Sequence, residues 1–444
     1  MAWRAIVGLL PLCAACFSPD GPHGGGEATS SGTVGSGGSE AGSTAAEGGP
    51  ASGATTTASA SATTATSAST DPDGTAGSSS DGGTTTASGA RCSDGTFEPG
   101  ELCFGPIAHV DVDVAPVDVG LGSIDDDAIL DLAIAAGGQI AVRAGDGVGG
   151  FGSGDTWTTS GPSVAVAPPL DFDGDGFGDA TFLAQPLPSV SGESFGWYLR
   201  EIAGNGQGVD AYNDIVLADF DGGEVDVVYT TAYAAVFQHG FVNGFDWAYG
   251  APVSLPLPGG EGAAGVAAAA FVFDGDAHLD VVVGNRYGAG VDLLQGDGGG
   301  TFTLQGSFDV CANGVGSRHV AIGDVDGDGY QDVIATCEDD SLGVAIGVRD
   351  GSFQPPVTYD VADGFDLAVG DIAGTGRSDV VVASSQSGDL SIFHGDGDAL
   401  ALGLVLEVGE PIGGVALGDV DSDGALDLAV AVPSGSVAIF KSDP

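Results

Sequence analysis

From about residue 103 onward the chain alternates between short apolar runs and acidic, glycine-rich breaks. Runs such as DVIAT (332–336), DVVVA (379–383) and DLAVA (427–431) are β-branched, lack a helical period and are bounded by Asp or Gly. That pattern predicts buried strands rather than amphipathic helices. A second kind of run, built from small residues, leads into each break: HVAIG before Asp324, LAVG before Asp371, VALG before Asp419. Another strand and a turn such as GDGGGTF or RDGSF then follow, so each unit predicts about four strands and no helix.

The breaks share a grammar. GDVDGDGYQDV (323–333) places Asp324, Asp326, Asp328 and Asp332 at alternating positions and then at the start of the next strand. DFDGDGFGD repeats it with Asp171, Asp173, Asp175 and Asp179, and DVDSDGALD with Asp419, Asp421, Asp423 and Asp427. Partial copies carry Asp125, Asp127 and Asp131 behind Ser123, and Asp274, Asp276 and Asp280 behind Val272. DFDGGEVD, with Asp219, Asp221 and Asp226, is one residue short, and DIAGTGRSD keeps only Asp371 and Asp379. First positions fall at 123, 171, 219, 272, 324, 371 and 419. Units of four strands at such a period predict an all-β fold, a seven-bladed β-propeller of four-stranded blades, over residues 104–444. The small residues before each loop suit an innermost strand, where blades crowd around the axis. The last unit is one strand short, and the stretch Phe104–Val112 is the expected donor of the missing outer strand, which would remove an exposed edge.

These loops resemble those of the FG-GAP or VCBS repeat proteins, among them the amino-terminal propeller of integrin alpha chains. The resemblance rests on D-x-D-x-D-G-x-x-D between two strands. It implies calcium on one face of the propeller, held by the aspartates just named. The physical chemistry agrees. Calcium takes six to eight oxygens, and carboxylates at alternating positions of a tight loop converge on one point. Glycine at the sixth position (Gly176, Gly329, Gly424) permits the sharp turn. An EF-hand needs a bidentate Glu at the twelfth position, where the 324–332 loop has Ala335 inside a strand. A hairpin whose side chains cap their own backbone is the competing reading. It is favoured for 219–226 and 371–379.

The amino terminus changes the picture of where the head works. Arg4, an apolar run from Ala5 to Leu12 and Cys13-Ala14-Ala15-Cys16 form a targeting segment, too short to span a bilayer. Its end resembles a bacterial lipobox, although Cys13 stands where that family has leucine. The resemblance implies a lipid on Cys16 and, with Phe17 following, an outer-membrane anchor; simple secretion is the alternative. We divide the chain into the anchor (1–16), a Ser/Thr/Gly/Ala linker (17–90), a Cys loop (91–103) and the propeller (104–444). The linker lacks the large apolar side chains needed to offset chain entropy, and as a flexible chain it would span roughly 45 Å. In an exported protein Cys92 and Cys103 predict one disulfide and Cys311 and Cys337 another. Zinc is the rival for these four, without a CxxC or HExxH spacing to support it.

Charge narrows the partners. Against 62 acidic residues stand 9 basic ones, a formal charge of -53, which excludes the basic footprint that nucleic acid or an anionic membrane surface requires. Bound cations would relieve that self-repulsion. Two catalytic look-alikes read as turns: Gly192–Gly196 matches GxSxG and Gly145–Gly150 matches GxGxxG, but no helix is predicted after either. Between about 195 and 250 aromatic residues gather, and Trp197 and Trp247 are the expected exposed contacts for a protein or glycan ligand. The expectation is a monomeric, calcium-binding, non-enzymatic adhesion module. A polysaccharide-acting enzyme and a passive structural head are the alternatives.

Overall fold

The computed structural model describes residues 102–442, apart from short internal stretches of which 171–177, 185–192, 202–211, 259–264 and 272–275 are the longest. Cys16, the linker and Cys92 therefore lie outside the described residues, as do Asp171, Asp173, Asp175 and Asp274. The fold is an all-β propeller, and the one helix among the described residues is the single 3₁₀ turn Ala312–Gly314. Its innermost strands are Pro116–Gly122, Ser163–Leu170, Tyr212–Ala218, Gly265–Phe271, Ser317–Gly323, Gly364–Gly370 and Val415–Gly418. Each packs against the next, and the last returns to the first. Every second strand begins with the aspartate that ends a loop: Asp131–Ala136, Asp179–Ala184, Asp226–Thr231, Asp280–Asn285, Asp332–Cys337, Asp379–Ser384 and Asp427–Val432.

Six sheets are four-stranded blades, where seven were expected. The exception is the second in chain order. Among the described residues it has three strands, and the third, Arg200–Glu201, runs parallel to Asp179–Ala184 instead of antiparallel. The sequence here is rich in proline. Pro168 and Pro169 interrupt the inner strand, where the pairing slips between Ala167 and Leu170, and Pro186 and Pro188 follow the second strand. None of the four can donate to a ladder.

The ring closes as the strand count predicts. Ala108–Asp111 pairs antiparallel with the last strand, Ser436–Phe440, matching Ala108 to Ile439 and Asp111 to Ser436. Phe104 bridges to Ser442, and the Gly105 amide donates to the Lys441 carbonyl at 2.8 Å. The amino-terminal strand thus completes the last blade as its outer strand.

The core lies between sheets, as an apolar cluster in each gap around the ring. The second strands are buried on both faces, which is why their sequences read as continuous apolar runs and not as alternations. Small residues ending the inner strands have a steric cause. A Cβ on Gly323 would come within 2.4 Å of Val369, and one on Gly418 within 2.6 Å of Leu130.

Cys311 and Cys337 are disulfide-bonded, with Cα atoms 5.8 Å apart. Cys311 follows the outer strand Phe302–Phe308 of the fourth sheet and Cys337 ends the second strand of the fifth, so the bond ties neighbouring blades. Cys103 is also disulfide-bonded; its expected partner, Cys92, lies outside the described residues. The 26-residue separation predicts that Cys311→Ser with Cys337→Ser lowers the unfolding free energy by about 3–4 kcal/mol. Urea denaturation of the two proteins checks this.

Candidate functional site

Two of the predicted loops assemble carboxylates on one point. Asp324, Asp326 and Asp332 offer oxygens all within 4.8 Å of one another, and Asp419, Asp421 and Asp427 do the same. A cation at the about 2.3–2.6 Å typical of calcium–oxygen bonds reaches donors spaced this way. The sixth-position glycines Gly329 and Gly424 take the left-handed conformation the turn requires, at φ 88° and 93°.

The four aspartates of each loop divide their work. First-position Asp324 accepts the amides of Gly327 (2.7 Å) and Gly329 (2.9 Å), which shapes the loop. Asp419 likewise accepts those of Asp423 and Gly424, both at 3.0 Å. Fifth-position Asp328 and Asp423 each turn an oxygen to the amide two residues on, of Tyr330 and Ala425, and stand outside the convergent groups. The ninth-position aspartate is wholly buried. Asp332 accepts the Val325 amide on Oδ2 and the Gly347 amide on Oδ1, both at 2.8 Å. Asp427 accepts those of Val420 and Ser442, also at 2.8 Å.

This last arrangement recurs around the ring. Asp131 takes Ile124 and Gly145, Asp226 takes Phe220 and Gly240, Asp379 takes Ala373 and Gly395, and Asp280 takes Gly296. The motif's final aspartate is therefore a staple between the loop and the end of the third strand, present even in the degenerate loops. A carboxylate oxygen has two lone pairs, so an amide on each leaves capacity for a metal. The amide at the third-strand end belongs mostly to glycine because a Cβ has no room: on Gly347 it would sit 2.2 Å from the Gln331 carbonyl.

Burial dominates the electrostatics. It pushes Asp332 up to about 7, with the amides pulling down and Asp326 and Asp324 pushing up. Asp427 and Asp226 are pushed up to about 6, again first by burial. Buried Asp421 Oδ1 and Asp125 Oδ1 have no hydrogen-bond partner. A buried carboxylate oxygen without a donor is costly, and a cation satisfies it. Hard oxygen donors, convergence and orphaned oxygens all fit calcium.

The other predicted ligands are placed differently. Asp127 accepts the Ile129 amide, and burial and Asp127 raise the pKa of Asp125. Among the described residues, Asp125, Asp127 and Asp131 do not form a convergent group. Asp276 faces His278 at 3.3 Å, and Asp179 is buried at the start of its strand. Trp197 and Trp247 lie on the second strands of short hairpins, Glu193–Ser194 with Trp197–Tyr198 and Gly240–Asn243 with Asp246–Tyr249; their side chains lie outside what is described. Ser194 is thus in a strand–turn–strand, and the Gly145–Gly150 segment is a turn closed by Asp146. Tyr229 and Phe237, from the same aromatic stretch, are core residues; Phe237 stacks edge-on with Phe220 and Phe302.

Two features were not foreseen. His239 Nδ1 lies 2.5 Å from Asp221 Oδ2 and 3.2 Å from Asp226 Oδ1, forming a third convergent group. The signal was present as a histidine directly before the third-strand glycine, in FQHG (237–240) and again in IFHG (392–395). The second feature is an axial cavity of about 820 Å³ lined by the inner strands, with Asp118, Asp214 and Asp366 on its wall. Asp118 Oδ2 accepts the Val166 amide of the next sheet (2.8 Å) and Asp366 Oδ2 that of Val415 (2.9 Å), so these carboxylates clasp adjacent sheets. Burial, then Asp366, raises Asp118 well above the ordinary carboxylate range.

Residues 273–335, 324–382 and 371–430 each match the FG-GAP-like repeat. Over this stretch the chain carries FG-GAP-like repeats, set in a propeller arrangement. No curated protein matches it. Among solved structures it is similar to BBS1N, from a crystal of BBS1N in complex with ARL6DN, at 12% identity and a TM-score of 0.51, over 77% of this chain and 97% of that one. A catalytically inactive virginiamycin B lyase from Staphylococcus aureus, with quinupristin, is similar at 10% identity and a TM-score of 0.48, over 76% and 99%. The first likeness shows the fold alone.

Two outcomes follow for the staple. Asp332→Ala orphans two buried amides and lowers the unfolding free energy by about 2–6 kcal/mol, about one to three for each, read by urea denaturation. In metal-free protein the raised carboxyls favour the folded state while protonated. Their contribution is complete below about pH 4 and is lost as pH rises through about 6 to 7. Stability of the metal-free head therefore falls across that window, and calcium, which binds the deprotonated form, opposes the fall. A pH series of denaturation curves with and without calcium reads both slopes.

Proposed function

We propose that this protein is a calcium-dependent, non-enzymatic binding head held at the outer membrane by a lipid on Cys16, with the linker as tether. The observation that carries the reading is the convergence of Asp324, Asp326 and Asp332, and of Asp419, Asp421 and Asp427, on strand-anchored loops, with an orphaned buried oxygen on Asp421. Calcium would be held by these carboxylates, with Asp328 and Asp423 near enough in the loop to complete the shell. Bound calcium supplies positive charge that turns the mutual repulsion of the loop into attraction and locks one face of the propeller.

We read the three-stranded sheet as the second of seven blades, because its inner strand packs between those of the first and third. Trp197 and Trp247 lie on separate two-stranded hairpins, and a protein or glycan is the ligand class their aromatic side chains suit. A rigid face with recognition hairpins on a tethered head is the form of an adhesion module.

Calcium at a hundredfold excess over its dissociation constant stabilises the head by about 2.7 kcal/mol for each occupied loop. Asp324→Ala with Asp326→Ala removes the contribution of one loop. Thermal unfolding in calcium and in chelator measures both. Immobilised head should retain cell-surface glycan or protein in calcium and release it in chelator, and Trp197→Ala with Trp247→Ala should abolish retention without altering the calcium shift. A head whose unfolding and retention are both indifferent to calcium rules the reading out.

A further inference from the structure

We propose that the third sheet carries a second kind of metal site, in which Asp221, Asp226 and His239 bind a divalent transition ion of the zinc class. The site lies in a different sheet from the convergent calcium loops and shares only their third and final motif positions, with a histidine in place of the first-position aspartate.

The donors come from three elements. Asp221 is the third position of the shortened loop DFDGGEVD, Asp226 begins the second strand, and His239 lies just past the end of the strand Ala235–Gln238. Their ligand atoms all lie within 4.8 Å. The Asp221 and Asp226 side chains are 14% and 0% exposed, whereas His239 is 48% exposed. Two carboxylates are thus fixed in the wall and an imidazole closes over them from the solvent side, leaving a fourth position open to water. Phe241 stacks on the imidazole, with ring planes 22° apart, and holds its orientation. Asp221 Oδ1 is held by the Gly223 amide at 2.9 Å, which turns Oδ2 to the histidine.

Comparison with the other loops shows what the change of donors does. In the fifth and seventh sheets the convergent set is the first, third and ninth aspartates of the motif. Here the first-position aspartate, Asp219, spends Oδ1 on the amides of Asp221, Gly222 and Gly223 and is not among the convergent donors. The loop lacks its fifth-position carboxylate, with Gly223 in its place. A nitrogen has therefore replaced oxygens, and the protein set carries two negative charges instead of three. Calcium prefers six to eight oxygens, while zinc accepts imidazole with carboxylates and three protein ligands with one open position.

The structure contains its own control. In the sixth sheet His394 occupies the matching position, 2.7 Å from the strand-starting Asp379. The third position of that loop is Ala373, so no second carboxylate faces it. His394 and Asp379 make a hydrogen bond; His239 has both carboxylates that a metal needs. A metal on His239 Nδ1 takes that nitrogen's lone pair and replaces its contact with Asp221 Oδ2, and the ring keeps its proton on Nε2.

The test uses the full chain with its calcium loops saturated. Zinc chloride is titrated calorimetrically, and cobalt(II) is added in parallel to read its visible absorption. Wild type and His394→Ala should bind one zinc and give a cobalt band with nitrogen in the shell. His239→Ala should weaken zinc binding by at least about tenfold, since losing even a partner that only orients a ligand costs about 10–100-fold. It should also lose the cobalt band while its calcium-induced thermal shift stays intact. That preserved shift shows that the variant folds and separates this outcome from failure of the calcium reading. An ion pair only, with zinc binding absent from wild type or equal in His239→Ala, overturns the proposal.

Discussion

A buried carboxylate gripping two backbone amides is the contact on which the rest of this propeller depends. It stands at the start of the second strand, where the chain leaves a loop and enters the core. One oxygen fixes the beginning of the loop and the other fixes the end of the third strand. Three segments distant in sequence are thereby held in one register. The burial that makes the arrangement rigid also raises the pKa of the group. That tension is tolerable because the amides favour the charged form.

The same constraint explains why the loops can diverge while the fold persists. The sixth loop has lost its third- and fifth-position carboxylates, and Asp379 still makes both amide contacts. The residue directly before the third-strand amide then decides what faces the loop. It is Ala144 in the first sheet and Ile346 in the fifth, where the acidic groups have no cationic side chain from that position. It is His239 in the third, His394 in the sixth and Lys441 in the seventh. Lys441, the only lysine in the chain, reaches Asp421 Oδ2 at 3.2 Å. A protein with a formal charge of -53 thus places its one lysine and two of its six histidines beside its acidic loops.

Crowding at the axis sets a second limit. Inner strands must approach closely, and four of the seven end in glycine, at Gly122, Gly323, Gly370 and Gly418. Asp118 and Asp366 use the remaining space to clasp the neighbouring sheet through its backbone. In the second sheet the inner strand slips in register between Ala167 and Leu170, where Pro168 and Pro169 remove two donors.

The sequence alone determined the strand content, the repeat, the ring closure through Ala108–Asp111 and the pairing of Cys311 with Cys337. Those features are written in period-two-free apolar runs, regular spacing and leftover partners, all of which are local or countable. It also located the acidic loops and the glycines Gly329 and Gly424 that turn them. What it could not apportion was the work of each aspartate. Asp332 and Asp328 look alike in the motif, and only packing buries one against two amides and leaves the other at the loop surface. The partnership of Asp221 with His239 was equally hidden, because strands distant in sequence decide which side chains share a point in space.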